Sequence, residues 1–143
     1  MGNIEITTQV ERIDIDFVHS YLSNESYWAK GIPKEVFVKS IHNSLCFSLF
    51  YNNKQIGFAR VVTDYATFGY LADVFIDKTH RKKGLGKLLL EHIMQDHRLH
   101  VLRRWMLVTA DGHSLYKKYG FTQLSQPDRV MEITKTSSYL TPK

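Results

Sequence analysis

The chain of 143 residues has a single cysteine and only three prolines, and these shortages exclude whole classes of protein. One cysteine, Cys46, cannot form an internal disulfide, so the fold depends on a buried core, as is usual in a reducing compartment. No apolar run reaches the roughly 18 residues that a membrane helix needs. The first residues also lack the pattern of a secretory leader. We therefore expect a cytoplasmic protein with no membrane partner.

The charge pattern does not indicate nucleic-acid binding. The net charge of +5 suits either a nucleic acid or a ligand that carries several phosphates. Basic residues are scattered except around 81–87 and at Arg103 and Arg104, and no RNA motif, zinc finger or continuous basic helix accompanies them. The seven histidines do not stand at the spacings of a zinc site. We expect neither a nucleic-acid partner nor a metal.

Strand-like runs and helical stripes alternate along the chain, and no internal boundary divides it, which predicts a single domain over residues 1–143. The predicted strands are 4–10, 45–51, 55–64, 67–76, 105–109, 121–124 and 130–134. The predicted helices are 14–22, 33–43, 84–97 and 113–119, and a loose tail is expected after Lys135. This order predicts an α/β fold: a mixed, mostly antiparallel central sheet with one parallel pair and helices on both faces.

A strand, a short basic loop with two glycines and the start of an amphipathic helix follow one another between Val74 and Leu90. Backbone N–H groups at the start of a helix bind phosphate oxygens, and Gly84 and Gly86 let those oxygens approach the main chain. The segment therefore predicts a site for an anionic cofactor. It is not a P-loop, because Leu88 stands where that motif requires Ser or Thr.

The loop Arg81-x-x-Gly84-x-Gly86 resembles the acetyl-CoA loop of the GNAT (GCN5-related) N-acetyltransferases, and the segment 114–121 resembles their tyrosine helix with its Gly-Phe end. The resemblance covers roughly residues 45–133. It implies the acyl-CoA N-acyltransferase fold, acetyl-CoA as co-substrate, and transfer of an acetyl group to a primary amine of a small molecule or peptide. The alternative is a silent acetyl-CoA-binding sensor or interaction module of the same fold. A homodimer is compatible with either.

The resemblance also implies roles for individual residues. Tyr116 matches the family's general acid, and its phenol is protonated at neutral pH and can donate a proton. Simple aromatic packing of Tyr116 is the alternative, and Tyr119 is the second choice for the acid. Asp73 is a candidate base, because a carboxylate inside an apolar strand is costly unless it is paired or faces a pocket. A structural pairing of Asp73 with an arginine and a relay of waters remain open. The cofactor-binding set implied is Val74, Phe75, Ile76, Arg81, Lys82, Lys83, Gly84, Leu85, Gly86 and Lys87.

The acceptor side is expected to be built from the early helices and the first hairpin. Its predicted binding residues are Tyr27, Trp28, Arg60 and Asp64, although the two aromatic residues could equally hold their loop against the core. Asp111 is expected to cap the short helix, where most relatives have an asparagine that touches the cofactor arm. We interpret Cys46, in an apolar strand, as a buried small hydrophobe rather than a nucleophile.

Overall fold

The computed structural model describes residues 2–135 and Tyr139, so most of the expected tail lies outside the described residues. Within that part of the chain, no helix has the length and apolar character needed to cross a bilayer. The strands are β1 Ile4–Thr7, β2 Leu45–Tyr51, β3 Lys54–Thr63, β4 Phe68–Ile76 and β5 Arg104–Leu107. The helices are α1 Ile15–Asn24, α2 Lys34–His42, α3 Leu85–Gln95 and α4 His113–Lys117.

The strands form one sheet in the order β1-β2-β3-β4-β5. The first four pair antiparallel, and β4 pairs parallel with β5. The predicted hairpin between β2 and β3 is confirmed, because Asn52 and Asn53 adopt the positive φ values, 49° and 67°, that a tight turn requires. The α3 crossover between β4 and β5 is the predicted strand–helix–strand unit, and the predicted α/β fold class is confirmed.

The sheet separates two apolar layers, as the buried central strands predicted. On one face, α1 and α2 pack Leu22 and Phe37 against Phe58 and Phe75 of the sheet. On the other, the apolar stripe of α3 packs on a second cluster, which contains Leu45, Phe47, Ala59, Val61, Leu71, Leu89, Leu90 and Ile93. Burial on both faces holds the middle strands rigid, so the end of β4 and the start of α3 have fixed positions.

The prediction of two further strands, 121–124 and 130–134, is wrong for this structure. A 3-10 turn over Pro127–Arg129 stands between them, and neither segment is a strand. A strand needs a partner for its backbone groups. Neither segment pairs with another strand, so within the described residues the sheet ends at β5.

Candidate active site

The parallel strands β4 and β5, at one edge of the sheet, separate part-way along their length. They pair from Phe68 opposite Arg104 to Leu71 opposite Leu107, after which β4 continues to Ile76 paired with β3 but not with β5. At the same point β4 carries an irregularity: Arg60 faces Ala72 whereas Phe58 faces Phe75, and Asp73 has a φ of 55°. A bulge of this kind redirects side chains and bends the strand. The result is a wedge between the strands, with a cavity on either side of it.

The first cavity, of about 500 Å³, lies between the end of β4 and the start of α3. Eight of the ten predicted cofactor-binding residues line it, and Lys83 and Lys87 do not. Its full lining is Tyr21, Glu25, Tyr27, Trp28, Val74, Phe75, Ile76, Lys78, His80, Arg81, Lys82, Gly84, Leu85, Gly86, Asp111, Leu115 and Tyr116. We call this cavity the cofactor groove.

The start of α3 exposes backbone amides to the cofactor groove. Gly84 precedes the helix with a φ of 76°, a conformation that glycine adopts without strain, and it supplies no side-chain cap. The first intrahelical bond runs from the Leu88 amide to the Gly84 carbonyl, so the preceding amides have no helical partner. A Cβ atom added at Gly84 would meet nothing within 4 Å, and one at Gly86 only Leu115 at 3.9 Å. The space over the helix start is therefore open to an anion.

Arg81 holds the loop in place. Its Nε donates to the Ile76 carbonyl at 2.9 Å, and another guanidinium nitrogen donates to the Tyr21 hydroxyl at 2.6 Å. The Tyr21 ring is stacked on Phe75 with 3.8 Å between ring centroids. The basic loop is thus tied both to the end of β4 and to α1, which fixes the direction of the helix amides.

The second cavity, of about 460 Å³, lies on the other side of the wedge, and we call it the acceptor pocket. Its lining is Tyr27, Trp28, Tyr70, Leu71, Ala72, Asp73, Val74, Leu107, Val108, Thr109, Ala110, Asp111, Gly112 and Tyr116. Of these described side chains, two are carboxylates, four are aromatic and none is basic. Tyr27, Trp28, Val74, Asp111 and Tyr116 line both cavities, so the two spaces meet at these residues.

Asp73 is paired with an arginine, which is one of the alternatives that the sequence left open. One carboxylate oxygen accepts from Arg60 Nε at 2.7 Å and the other from Trp28 Nε1 at 2.8 Å. The side chains of Arg60 and Asp73 are only 18% and 9% exposed. Arg60 itself is not among the residues that line the acceptor pocket; it lies behind Asp73 and also donates to the Ser44 hydroxyl at 3.1 Å.

Tyr27 and Trp28 form a clasp across the wedge. The Tyr27 hydroxyl accepts from the Ala110 amide at 3.0 Å, while Trp28 bonds to Asp73 on β4. The two rings meet edge to face with 5.0 Å between centroids. The loop after α1 is therefore attached to both diverging strands, and sequence reasoning missed the Ala110 contact because 83 positions separate it from Tyr27.

Tyr116 stands at the junction of the two cavities and is half-buried. Its ring lies against Gly112, where an added Cβ would come within 2.8 Å of it. Burial raises the pKa of the Tyr116 hydroxyl above its ordinary value, with smaller contributions from Tyr27 and Asp111. The hydroxyl is therefore protonated at neutral pH. Tyr119, by contrast, donates to the Lys87 carbonyl at 3.1 Å and so attaches α4 to α3.

Two sequence-based expectations need correction here. Asp64 does not join the site: its carboxylate accepts from the amides of Ala66 and Thr67 in the turn before β4, and these bonds lower its pKa. Asp111 does not cap α4, because Gly112 is the residue before that helix and provides no side-chain cap. Thr109 stabilises this turn instead, its hydroxyl accepting from the Gly112 amide at 2.9 Å. Asp111 is left facing both cavities.

Cys46 has the environment of a core residue. It is 4% exposed, its thiol lies 3.7 Å from the Ile41 carbonyl, and burial raises the pKa of the thiol to about 12. A thiol in this state is protonated and is a poor nucleophile.

Comparison with known proteins agrees with this geometry. The family model for the acetyltransferase (GNAT) domain matches residues 42–123. A candidate GNAT-family acetyltransferase from Xanthomonas campestris pv. campestris has a crystal structure that superposes with a TM-score of 0.95 at 41% identity, covering 99% of both chains. A candidate acetyltransferase of Gibberella zeae is 28% identical over an alignment of 141 residues, with 82% of this chain and 77% of that protein covered.

A third relative has a named acceptor. The ribosomal protein bS18-alanine N-acetyltransferase of Escherichia coli is 34% identical over an alignment of 85 residues, with 55% of this chain and 55% of that enzyme covered. The matched family model covers more than half of the chain and includes the bulge of β4, the loop before α3, the start of α3 and Tyr116. The chain belongs to the GNAT family of acetyltransferases.

Proposed function

We propose that this protein transfers the acetyl group of acetyl-CoA to a primary amine of a small molecule or peptide by direct attack in the wedge between β4 and β5. The observation that carries the proposal is that the cofactor groove and the acceptor pocket meet at Tyr116 and Val74. A reaction between two ligands needs such a junction, because the reacting atoms must be held about 3 Å apart.

The described residues of the cofactor groove suit acetyl-CoA, which supplies the acetyl group as a thioester. The uncapped amides of α3 and the helix dipole would hold its diphosphate. The edge of β4 from Ala72 to Ile76, which is not paired with β5, offers backbone groups to the pantetheine arm. A backbone N–H at Val74 would polarise the thioester carbonyl, as an oxyanion donor does.

The acceptor pocket suits an amine. Alkylamines have a pKa near 10 and arrive as cations, which carboxylates and aromatic faces attract. Asp111 provides the negative charge, and Asp73, whose charge is balanced by Arg60, provides further carboxylate oxygens. Tyr27, Trp28 and Tyr70 provide the rings. The named acceptor of the Escherichia coli relative, an alanine of a ribosomal protein, supports a peptide amine as one member of this class.

We assign Asp73 to binding the amine rather than to removing its proton. Both of its oxygens already accept hydrogen bonds, from Arg60 and from Trp28, which uses about half of its acceptor positions. The amine's proton then leaves to water in the acceptor pocket. Tyr116 donates its hydroxyl proton to the departing thiolate, and its raised pKa keeps that proton available at neutral pH.

The test is a thiol-release assay with acetyl-CoA against a panel of amines, peptides and aminoglycosides. Tyr116→Phe removes only the hydroxyl, so kcat should fall by about 100-fold, the lower end of general-acid contributions. The KM for acetyl-CoA should stay nearly constant, and the alkaline decline of kcat should disappear. Tyr119→Phe, two residues beyond the end of the same helix, is the matched control and should leave kcat nearly unchanged.

Two results would contradict the proposal. If Tyr116→Phe kept the kcat of the natural chain, the assignment of the acid would be wrong. If the natural chain acetylated no amine while acetyl-CoA still raised its melting temperature, the silent-sensor alternative would replace the enzyme.

A further inference from the structure

Asp73 has a backbone conformation that is unusual for an aspartate inside a strand. Its φ of 55° lies in the left-handed region, which glycine adopts freely and most other residues adopt at a cost. The bulge gives β4 two residues opposite one residue of β3, and Asp73 is the first of the two, followed by Val74. One kind of bulge has a left-handed glycine at this first position. Because an aspartate stands here instead, the contacts of its side chain bear on the conformation of its backbone.

The Asp73 side chain is held by Arg60, which is itself fixed. Arg60 donates from Nε to the Asp73 carboxylate at 2.7 Å and from Nη1 to the Ser44 hydroxyl at 3.1 Å. The Ser44 hydroxyl in turn donates to the Ser40 carbonyl of α2 at 2.8 Å. A guanidinium is planar, so these two bonds determine its orientation as well as its position. The bulge of β4 is therefore connected through Arg60 to the helix layer on one face of the sheet.

Stability alone does not account for this ion pair. The side chains of Arg60 and Asp73 are only 18% and 9% exposed, so both charges have lost most of their hydration. The attraction within a largely buried pair often does no more than balance that loss, and apolar residues of similar volume are often as stable in its place. What the pair adds is directed, charge-assisted hydrogen bonds, which fix the geometry of the residue that carries the carboxylate.

The conformation of Asp73 determines where the next amide points. The peptide unit between Asp73 and Val74 is planar and carries the Val74 N–H, so its direction follows from the backbone angles of Asp73. Val74 lines both the cofactor groove and the acceptor pocket. An oxyanion donor is effective when its direction is fixed before the reaction begins. Control of the bulge is therefore control of this amide.

We propose that Arg60 is a positioning residue for the acetyl transfer: by holding Asp73 in the left-handed conformation, it directs the Val74 N–H at the thioester carbonyl of acetyl-CoA. This inference rests on the proposed function, in which that amide polarises the carbonyl. Arg60 is not among the residues that line either cavity, so it acts through Asp73 rather than by touching a ligand. Loss of the pair should therefore lower kcat while the diphosphate is bound as before.

The first test compares two double variants, Arg60→Met with Asp73→Gly and Arg60→Met with Asp73→Ala. Both remove the ion pair without leaving one charge buried alone, and they differ by one methyl group. Glycine adopts the left-handed conformation freely, whereas alanine loses about 10-fold in population there. The variant with glycine should therefore have a kcat about 10-fold higher than the variant with alanine. The two should have similar KM values for the amine and similar Kd values for coenzyme A.

The second readout is the thioester carbonyl stretch of bound acetyl-CoA, measured without an acceptor by infrared difference spectroscopy with an isotopic label at the carbonyl carbon. A hydrogen bond that polarises the carbonyl lowers this frequency. The natural chain should lower it relative to free acetyl-CoA, the variant with glycine should keep most of that displacement, and the variant with alanine should lose most of it. A role in stability alone would leave the band unchanged in variants that bind coenzyme A.

Arg60→Lys separates geometry from charge and answers the question even if a double variant fails to fold. Lysine keeps a positive charge beside Asp73, but its ammonium group lacks the planar fork that makes the two directed bonds. We expect kcat to fall several-fold and the carbonyl band to move toward its position in free acetyl-CoA. The Kd for coenzyme A should stay within about twofold of the natural value, because the α3 amides are unchanged.

The possible results are distinct. Equal kcat values and equal carbonyl bands in the two double variants would overturn the proposal, as would natural kcat and a natural band in Arg60→Lys. A band that the natural chain leaves undisplaced would also overturn it, because there would be no polarisation for Arg60 to direct. A band that follows the predicted order in a chain that acetylates no amine would refute the proposed function and still support the positioning by Arg60.

Discussion

The cofactor groove and the acceptor pocket lie on either side of the same wedge, but they are built in different ways. The cofactor groove takes its ligand-facing groups mainly from backbone that is contiguous in sequence, Ile76 to Gly86. The acceptor pocket depends on side chains that bond across the fold, such as Trp28 to Asp73 and Tyr27 to Ala110. The cofactor groove should therefore tolerate most changes of side chain, whereas the acceptor pocket should not.

This difference separates the part of the site that would hold the cofactor from the part that would select the acceptor. A diphosphate is recognised by amides that any sequence with the right backbone can present. Under the proposed function, the amine would be recognised by a particular set of rings and carboxylates, and two hydrogen bonds from the loop after α1 hold that set in place. The matched family model begins at residue 42, so Tyr27 and Trp28 lie outside it. These two residues can therefore differ between proteins that share the loop from Ile76 to Gly86.

The largest effect on cofactor binding should come from placing a negative charge at the start of α3. Gly86→Glu has room for its Cβ, since the nearest atom is Leu115 Cδ2 at 3.9 Å. Glutamate is a better helix former than glycine by roughly 0.5–1 kcal/mol and is favoured near a helix N-terminus, so the melting temperature should rise. The same charge repels a diphosphate, so the Kd for coenzyme A, measured by calorimetry, should increase at least ~10-fold.

Gly86→Gln is the matched control for that experiment. It adds almost the same side chain without the charge, so it should also raise the melting temperature, but it should weaken the binding of coenzyme A much less. Equal losses of affinity in the two variants would mean that bulk, rather than charge at the helix amides, governs binding.

A smaller effect, on the KM for the amine, should follow from removing the hydrogen bond between Trp28 and Asp73. Trp28→Phe keeps an aromatic ring but loses the bond from Nε1 to Asp73, and a hydrogen bond to a charged group contributes roughly 1.5–3 kcal/mol. Because Trp28 is 42% exposed, we expect the lower end of that range, about a 10-fold rise in the KM for the amine. The KM for acetyl-CoA should change by less than about twofold, and steady-state kinetics with each substrate varied will show whether the effect is confined to the acceptor.

The contrast also explains what could be predicted from the sequence. The boundaries of β2 agree with the prediction, because Leu45 to Tyr51 is a continuous apolar run ended by a turn signal. The loop before α3 could be identified because all of its determinants are within a dozen residues. The Tyr27–Ala110 and Trp28–Asp73 bonds could not be found, since each depends on which distant segments the bulge and the divergence of β4 and β5 bring together.

The C-terminal strands show the same limit in another form. Their alternation predicts strand structure locally, but a strand also needs an edge to pair with, and neither 121–124 nor 130–134 pairs with a strand in the structure. Met131 and Ile133 are therefore left 94% and 93% exposed, which the local pattern does not predict.

The smallest effect on activity should come from Asp64, the carboxylate that sequence reasoning placed in the site and the structure places in a turn. Asp64→Asn should leave both KM values unchanged, because its bonds run to Ala66, Thr67 and Phe68 and not to either cavity.

The same substitution should lower the stability of the protein. The bonds hold the pKa of Asp64 below its unfolded value, so its contribution is present above about pH 4 and is lost as the pH falls through the folded pKa. The melting temperatures of the variant and the natural chain should therefore differ most near neutral pH and converge on acidification, while Glu35→Gln on α2 provides the control. A change in the KM for the amine would show that Asp64 belongs to the acceptor pocket. It would then contradict the distinction between carboxylates that bind substrate and carboxylates that stabilise the sheet.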